Sequence, residues 1–310
     1  MENSFQSAYV DINGVPTNIL TWGRWLEESL GDAEEIIICI TGNPGLPGFY
    51  TEFGHTIHKN LGLKTPVWII GHAGHDEPSK KSLKQVPTLK HNEHLYDLSG
   101  QIEHKLSFIQ KYVPENKKIY LVGHSIGAWM VLELMKHDSI KPRIKKCFLL
   151  FPTIERMADS YNGKIFQLFS FLSPLYIYLL HFIYYMPIFV RLFIIKIYFW
   201  LFSIPKIFLK PAIKYSKPTS MEKVIFLAKD EMKVVREFDE LHIKRNKKLL
   251  KFYYGATDGW VPVKYFNEIK EKIDDLDAQL CQKGISHSFV LQHSEMMGNI
   301  LAEWIIQDKN

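Results

Sequence analysis

A serine set between two glycines, Gly123-His124-Ser125-Ile126-Gly127, stands where the β-branched apolar run IYLV gives way to the helical pattern AWMVLELM. A strand, a tight turn and a helix in that order are what a G-x-S-x-G nucleophile elbow requires. Its glycines are needed because helix and strand approach too closely for a side chain. A serine hydroxyl is a weak nucleophile near neutrality, so acyl-transfer chemistry also demands a base and an orienting acid. The competing reading of Ser125 is a residue that only caps the following helix.

In such sites the acid and then the base follow the nucleophile along the chain. Asp258 in YYGATDGWVP comes directly after an apolar run that reads as a strand, and His287 in QKGISHSFVLQ comes after another and before a helical pattern. Both are expected on loops at the same sheet edge as Ser125. Asp258, preceding Gly259, also fits an ordinary turn, and His293 on the next helix is the main rival of His287. An oxyanion hole needs two backbone donors. One is expected from the N–H of Ile126, and the second from Asn43 in the Gly/Pro-rich loop CITGNPGLPGFY. That loop equally reads as a plain turn, since Asn-Pro and Pro-Gly are turn dipeptides.

Other chemistry fits less well. His72 and His75, His55 and His58, and His91 and His94 have i, i+3 spacing, but none forms HExxH and no cysteine pair supports them, so no metal is expected. Neither a phosphate-binding GxxxxGKS/T loop nor a strand-linked GxGxxG occurs, and no nucleotide cofactor is expected. An epoxide hydrolase would carry Asp at the elbow, where this chain has Ser125.

Holding three such residues together calls for a sheet whose carboxyl edge gathers the loops. EIIICITG, PVWIIG, KKIYLVG, KKCFLLF, KLLKFYYG and AQLCQ read as strands separated by helical patterns, and several are continuous apolar runs, as in central parallel strands covered on both faces. The alternation predicts an open, mostly parallel, doubly wound α/β sheet. Ahead of it, SAYVDINGVPTNILTWG turns at Asn13-Gly14 and predicts a β-hairpin. A chain of 310 residues with 46% hydrophobic content suits a single α/β domain. Cys39, Cys147 and Cys281 sit in runs read as strands and are expected to be core thiols. The first twenty residues lack a basic start followed by an apolar run, so no secretory signal is expected.

The alternation is interrupted once, after KKCFLLF. The stretch of about 160–221 is expected to form an apolar cap over the carboxyl edge. Between Ser160 and Met221 there are seven basic residues and no acid, which accounts for more than the whole net charge of +5. A greasy basic stretch does not suit nucleic acid, which needs a polar basic groove, and it does suit an anionic lipid surface. Ile165 to Val190 is free of acids, Lys and Arg, but Pro174 and Pro187 break it. A single crossing would also leave Ser125 on one side of the bilayer and Asp258 and His287 on the other. In-plane helices or a re-entrant hairpin are therefore expected. Phe169, Tyr176, Tyr184, Tyr185, Arg191, Lys196, Tyr198 and Trp200 are the expected membrane-association residues. The competing reading is a soluble hydrophobic cap packed on the enzyme body.

On TGNPGLPGFY, GHSIGAWM, YGATDGWVP, GISHSF and the aromatic insertion, the chain resembles the α/β-hydrolase superfamily and, within it, the lipid droplet-associated hydrolase family. The resemblance implies a serine hydrolase of the lipid droplet and the cytosolic face of the endoplasmic reticulum. Sterol ester-like neutral lipids are its implied substrates, and Ser125, Asp258 and His287 its triad. In one departure, Thr41-Gly42-Asn43 stands where many superfamily members have His-Gly. Two rival functions remain at this stage: a lipid-surface protein with little turnover, and an acyltransferase using the same triad.

Overall fold

A computed structural model of the chain describes residues 5–78 and 84–309. Eight strands form one sheet in the order β1-β2-β4-β3-β5-β6-β7-β8. They are β1 (Gln6–Ile12), β2 (Val15–Trp22), β3 (Glu35–Ile40), β4 (Val67–Ile70), β5 (Lys118–His124), β6 (Ile144–Leu150), β7 (Leu250–Tyr254) and β8 (Ala278–Leu280). β2 runs antiparallel to both β1 and β4, and every pairing from β4 through β8 is parallel. At the β1–β2 turn Asn13 and Gly14 have φ of 52° and 74°, the left-handed pair that a two-residue hairpin turn needs.

The helices outside the β6–β7 connection are α1 (Thr51–Asn60), α2 (Leu98–Tyr112) and α3 (Ile126–Leu134), then α10 (Val263–Lys272), α11 (Phe289–Gln292) and α12 (Ser294–Lys309). Alternate residues of one strand feed opposite cores, as a period of two dictates. Ile36, Ile38 and Ile40 pack with Phe108 of α2 and Met130 of α3, while Ile37 and Cys39 pack with Phe53 of α1 and Leu301 of α12. Each fully buried aliphatic or aromatic side chain contributes about 1.5–3 kcal/mol. Cys39, Cys147 and Cys281 are buried free thiols; Cys281 lies one residue past β8 instead of within it.

The β6–β7 connection contains α4 (Tyr161–Ser170), α5 (Ser173–Tyr185), α6 (Ile188–Leu201), α7 (Leu209–Tyr215), α8 (Pro218–Val234) and α9 (Glu240–Asn246). The stretch set apart by composition lies inside this excursion, which runs on past residue 221 through α8. Among the described residues no single helix is long and apolar enough to cross a membrane; α4 and α5 reach that length only together, bent by 75°.

The histidine pair after β4 supports a turn. The His72 backbone N–H donates to the Gly45 carbonyl at 2.9 Å, and His75 Nδ1–H donates to the Pro44 carbonyl at 2.9 Å. No group of three or more His, Cys, Asp or Glu among the described residues could hold a metal ion. Burial pushes His75 down to about 3, and burial together with Lys105 holds His72 and His104 well below the ordinary value of 6.5. Unfolded, these imidazoles take up protons that the folded chain refuses. Stability is therefore expected to fall as pH drops from 6.5 toward about 3, by up to ~1.4 kcal/mol per pH unit for each histidine. Urea midpoints at about pH 7 and about pH 5 test this, and equal midpoints would contradict it.

Candidate active site

The end of β5 and the start of α3 meet at Ser125, whose backbone sits at φ 55° and ψ −123°, a strained conformation for a residue with a Cβ. Two close approaches impose it. A Cβ on Gly123 would lie 2.5 Å from the Gly127 carbonyl oxygen, and a Cβ on Gly127 would lie 2.5 Å from that of Ile40. The turn projects the serine above the carboxyl ends of β3 and β5.

Ser125 Oγ lies 2.9 Å from His287 Nε2, and His287 Nδ1 lies 2.7 Å from Asp258 Oδ2. The Asp258 side chain is 0% exposed and that of His287 15%. The other carboxylate oxygen, Oδ1, accepts the backbone N–H groups of Trp260 at 2.8 Å and Val261 at 3.1 Å. Asp258 is thus both the turn residue and the histidine's partner, and the turn aims the carboxylate. His293 caps the end of α11 and is not on the cavity wall.

A second hydrogen-bond chain runs behind this one. The Gly42 N–H donates to Tyr50 Oη at 2.8 Å, and Tyr50 Oη–H can then donate only onward, to His124 Nδ1 at 2.6 Å. His124 Nε2–H in turn donates to the His287 carbonyl at 2.9 Å. This order of donors fixes the neutral Nε2–H tautomer of His124, consistent with burial, reinforced by nearby His287, pushing it down to about 3.

Two expected oxyanion donors flank the serine. Ile126 is the first residue of α3, where a backbone N–H has no acceptor within the helix. In the opposite turn Gly42 gives its N–H to Tyr50, Pro44 has none, and Gly45 gives its own to the Gly42 carbonyl. From Gly42 to Gly45, Asn43 is the residue whose backbone N–H has no acceptor among the described residues. Its side-chain Nδ2 donates to Glu231 Oε1 at 2.9 Å and to the Val224 carbonyl at 3.2 Å, both on α8.

Ser125 and His287 lie at the base of a cavity of about 560 Å³, roofed by the connection helices. Tyr176 of α5 and Ile194 and Tyr198 of α6 line it and are also exposed, which marks the mouth. Helices α4 to α6 also carry many exposed large apolar side chains. Phe169 is 58% exposed, Phe171 71%, Tyr185 79% and Trp200 79%. Lys196 is exposed, and Arg191 lies with its guanidinium 4.9 Å from the half-buried Tyr184 ring. Of the expected membrane-association residues, Phe169, Tyr176, Tyr185, Lys196, Tyr198 and Trp200 are exposed and Tyr184 and Arg191 half-buried; Tyr176 and Tyr198 also belong to the cavity wall.

The sequence reading did not single out Tyr50, His124 or Glu231. For Glu231 a signal existed: it continues the apolar stripe of Val224, Leu227 and Ala228 on α8. An acid on such a stripe is turned inward.

Residues 33–290 match the family model described as lipid-droplet associated hydrolase. The chain is 53% identical to lipid droplet-associated hydrolase of Drosophila melanogaster over 98% of this chain and 99% of that one. To the protein of the same name in Mus musculus it is 37% identical over 94% of this chain and 92% of that one. For Homo sapiens the identity is 32%, over 97% and 94%. Among solved structures, a meta-cleavage product hydrolase from Pseudomonas fluorescens superposes with a TM-score of 0.61 at 17% identity, covering 97% of each chain. A haloalkane dehalogenase from Bradyrhizobium elkani gives 0.62 at 13%, covering 99% of each. At such identities the likeness is one of fold, and the fold is that of the α/β-hydrolases.

Proposed function

Because the chain belongs to the lipid droplet-associated hydrolase family, we propose that it is a serine hydrolase cleaving carboxylic esters of neutral lipids, sterol esters among them. It acts at the surface of lipid droplets and the cytosolic face of the endoplasmic reticulum. The observation that carries this reading is the continuous Ser125–His287–Asp258 hydrogen-bond chain at the base of an apolar cavity. Ser125 Oγ attacks the ester carbonyl while its proton passes to His287 Nε2, and Asp258 orients and stabilises the imidazolium. The N–H groups of Ile126 and Asn43 receive the oxyanion, each such donor contributing about 3–4 kcal/mol to the transition state. His287 returns the proton to the leaving alcohol, and water then releases the acid from the acyl-enzyme. Purified protein is expected to react with a fluorophosphonate probe, and Ser125→Ala to lose that labelling; equal labelling of the two would sink the assignment.

The exposed face on α4 to α6 favours a monotopic docking surface, with lysines and arginine at its border meeting anionic headgroups. Removing two of its large apolar contacts, in Phe171→Asp with Trp200→Asp, is expected to weaken binding to triolein droplets coated with phosphatidylcholine and phosphatidylserine by on the order of 10²-fold. Flotation measures this, with circular dichroism melting as the check on folding. Undiminished flotation would exclude this face as the docking surface. The same face supports a second reading, a lipid-surface protein with little turnover. That reading requires Ser125→Ala to retain the full effect on neutral-lipid storage in cells.

A further inference from the structure

Glu231 is a carboxylic acid on the wall of a cavity that is otherwise largely apolar. It is 1% exposed and belongs to α8, outside the strand-edge loops that carry Ser125, Asp258 and His287. Its contact is specific: the amide Nδ2 of Asn43 is divided between Glu231 Oε1 and the Val224 carbonyl, so two points on one helix grip one side chain of the opposite turn. Asn43 Oδ1, also buried, has no hydrogen-bond partner among the described residues, so Nδ2 alone orients the amide. The rest of that turn is gripped from the sheet side, by Tyr50, the His72 backbone and His75. A backbone N–H held from both sides is preorganised, and an oxyanion donor must be so held if it is to stabilise charge without reorganising.

We propose that Glu231 is a positioning residue for ester hydrolysis, acting through the Asn43 side chain to hold the Asn43 backbone N–H where the oxyanion forms. This rests on the reading of Ser125 as the nucleophile.

Charge determines how the contact works. Burial pushes Glu231 up to about 8; the hydrogen bond from Asn43 works against this by favouring the carboxylate, and the neighbouring Asp230 adds a smaller upward push. The other titratable groups facing it across the cavity are His124, His287 and Tyr50 from the sheet side, Tyr176 from α5 and Tyr198 from α6; among the described residues no Lys or Arg lines that cavity. Neutral Glu231 accepts the amide hydrogen without setting a negative charge against the developing oxyanion. Above about 8 it ionises, and the same grip then opposes the reaction.

The test uses the full-length protein with p-nitrophenyl butyrate, its active sites counted by fluorophosphonate labelling. Glu231→Leu, which has no acceptor, is expected to lower kcat by roughly 10²-fold while KM changes less than about threefold. Asn43→Ala is expected to cost about as much, and the double variant no more than either. Glu231→Gln keeps an acceptor: most of kcat returns near neutrality, and the fall in kcat that the parent shows above about pH 8 disappears. The glutamine variant decides the matter if the leucine variant does not fold. A labelled, active parent with an indifferent Glu231→Leu, or a glutamine variant retaining the parent's alkaline fall, overturns this proposal alone. A parent that neither labels nor turns over overturns the triad reading, and this proposal with it.

Discussion

Ser125→Ala is expected to lower kcat/KM for ester hydrolysis by on the order of 10⁵-fold with the fold intact. The substitution removes only Oγ, the atom 2.9 Å from His287 Nε2, and adds nothing that could clash. Alanine meets the same backbone strain as serine at φ 55°, and the glycine contacts that enforce the bend are untouched. On the proposed reading, what survives is whatever the Ile126 and Asn43 N–H groups and the cavity would confer on a bound ester attacked by water. His287→Ala should be as damaging, and the double variant little worse than either, because nucleophile and base act as one unit. Steady-state kinetics on p-nitrophenyl butyrate measure both, and a loss below about tenfold for Ser125→Ala would move the nucleophile elsewhere.

Gly127→Ala is expected to damage both stability and catalysis. Its Cβ would lie 2.5 Å from the Ile40 carbonyl oxygen and 2.7 Å from that of Thr41. Both are backbone atoms at the end of a central parallel strand, so no flexible side chain can yield. The start of α3 must retreat from β3, taking the Ile126 N–H and Ser125 with it. Overpacking of this kind costs about 1–3 kcal/mol of stability, and a misplacement of about 1 Å costs on the order of 10²-fold in rate. Thermal melting and kcat are the measurements; a variant with parental kcat would show that the elbow tolerates a wider separation of helix and strand.

Much of this molecule is legible in its sequence because the determining physics is local. Asn13-Gly14 supplies the left-handed pair of a hairpin, and runs such as EIIIC cannot expose either face, so they become central strands. The order Ser125, Asp258, His287 at strand ends is equally plain. What could not be read is set by long-range packing. Asp230 and Glu231 are adjacent acids on one helix, yet Asp230 accepts the Leu98 N–H at 3.0 Å while Glu231 turns into the cavity. His72 and His75 have a metal ligand's spacing and instead brace the Asn43 turn, because β4 ends beside it. The insertion's greasiness was visible by composition, but not that Tyr176 and Tyr198 would line the cavity while remaining exposed.

Those two tyrosines have a further consequence. Were the proposed docking on a lipid monolayer to occur through this face, an opening framed by Tyr176, Ile194 and Tyr198 would admit an ester to Ser125 straight from the lipid, and chain length would be bounded by the cavity instead of by solubility in water.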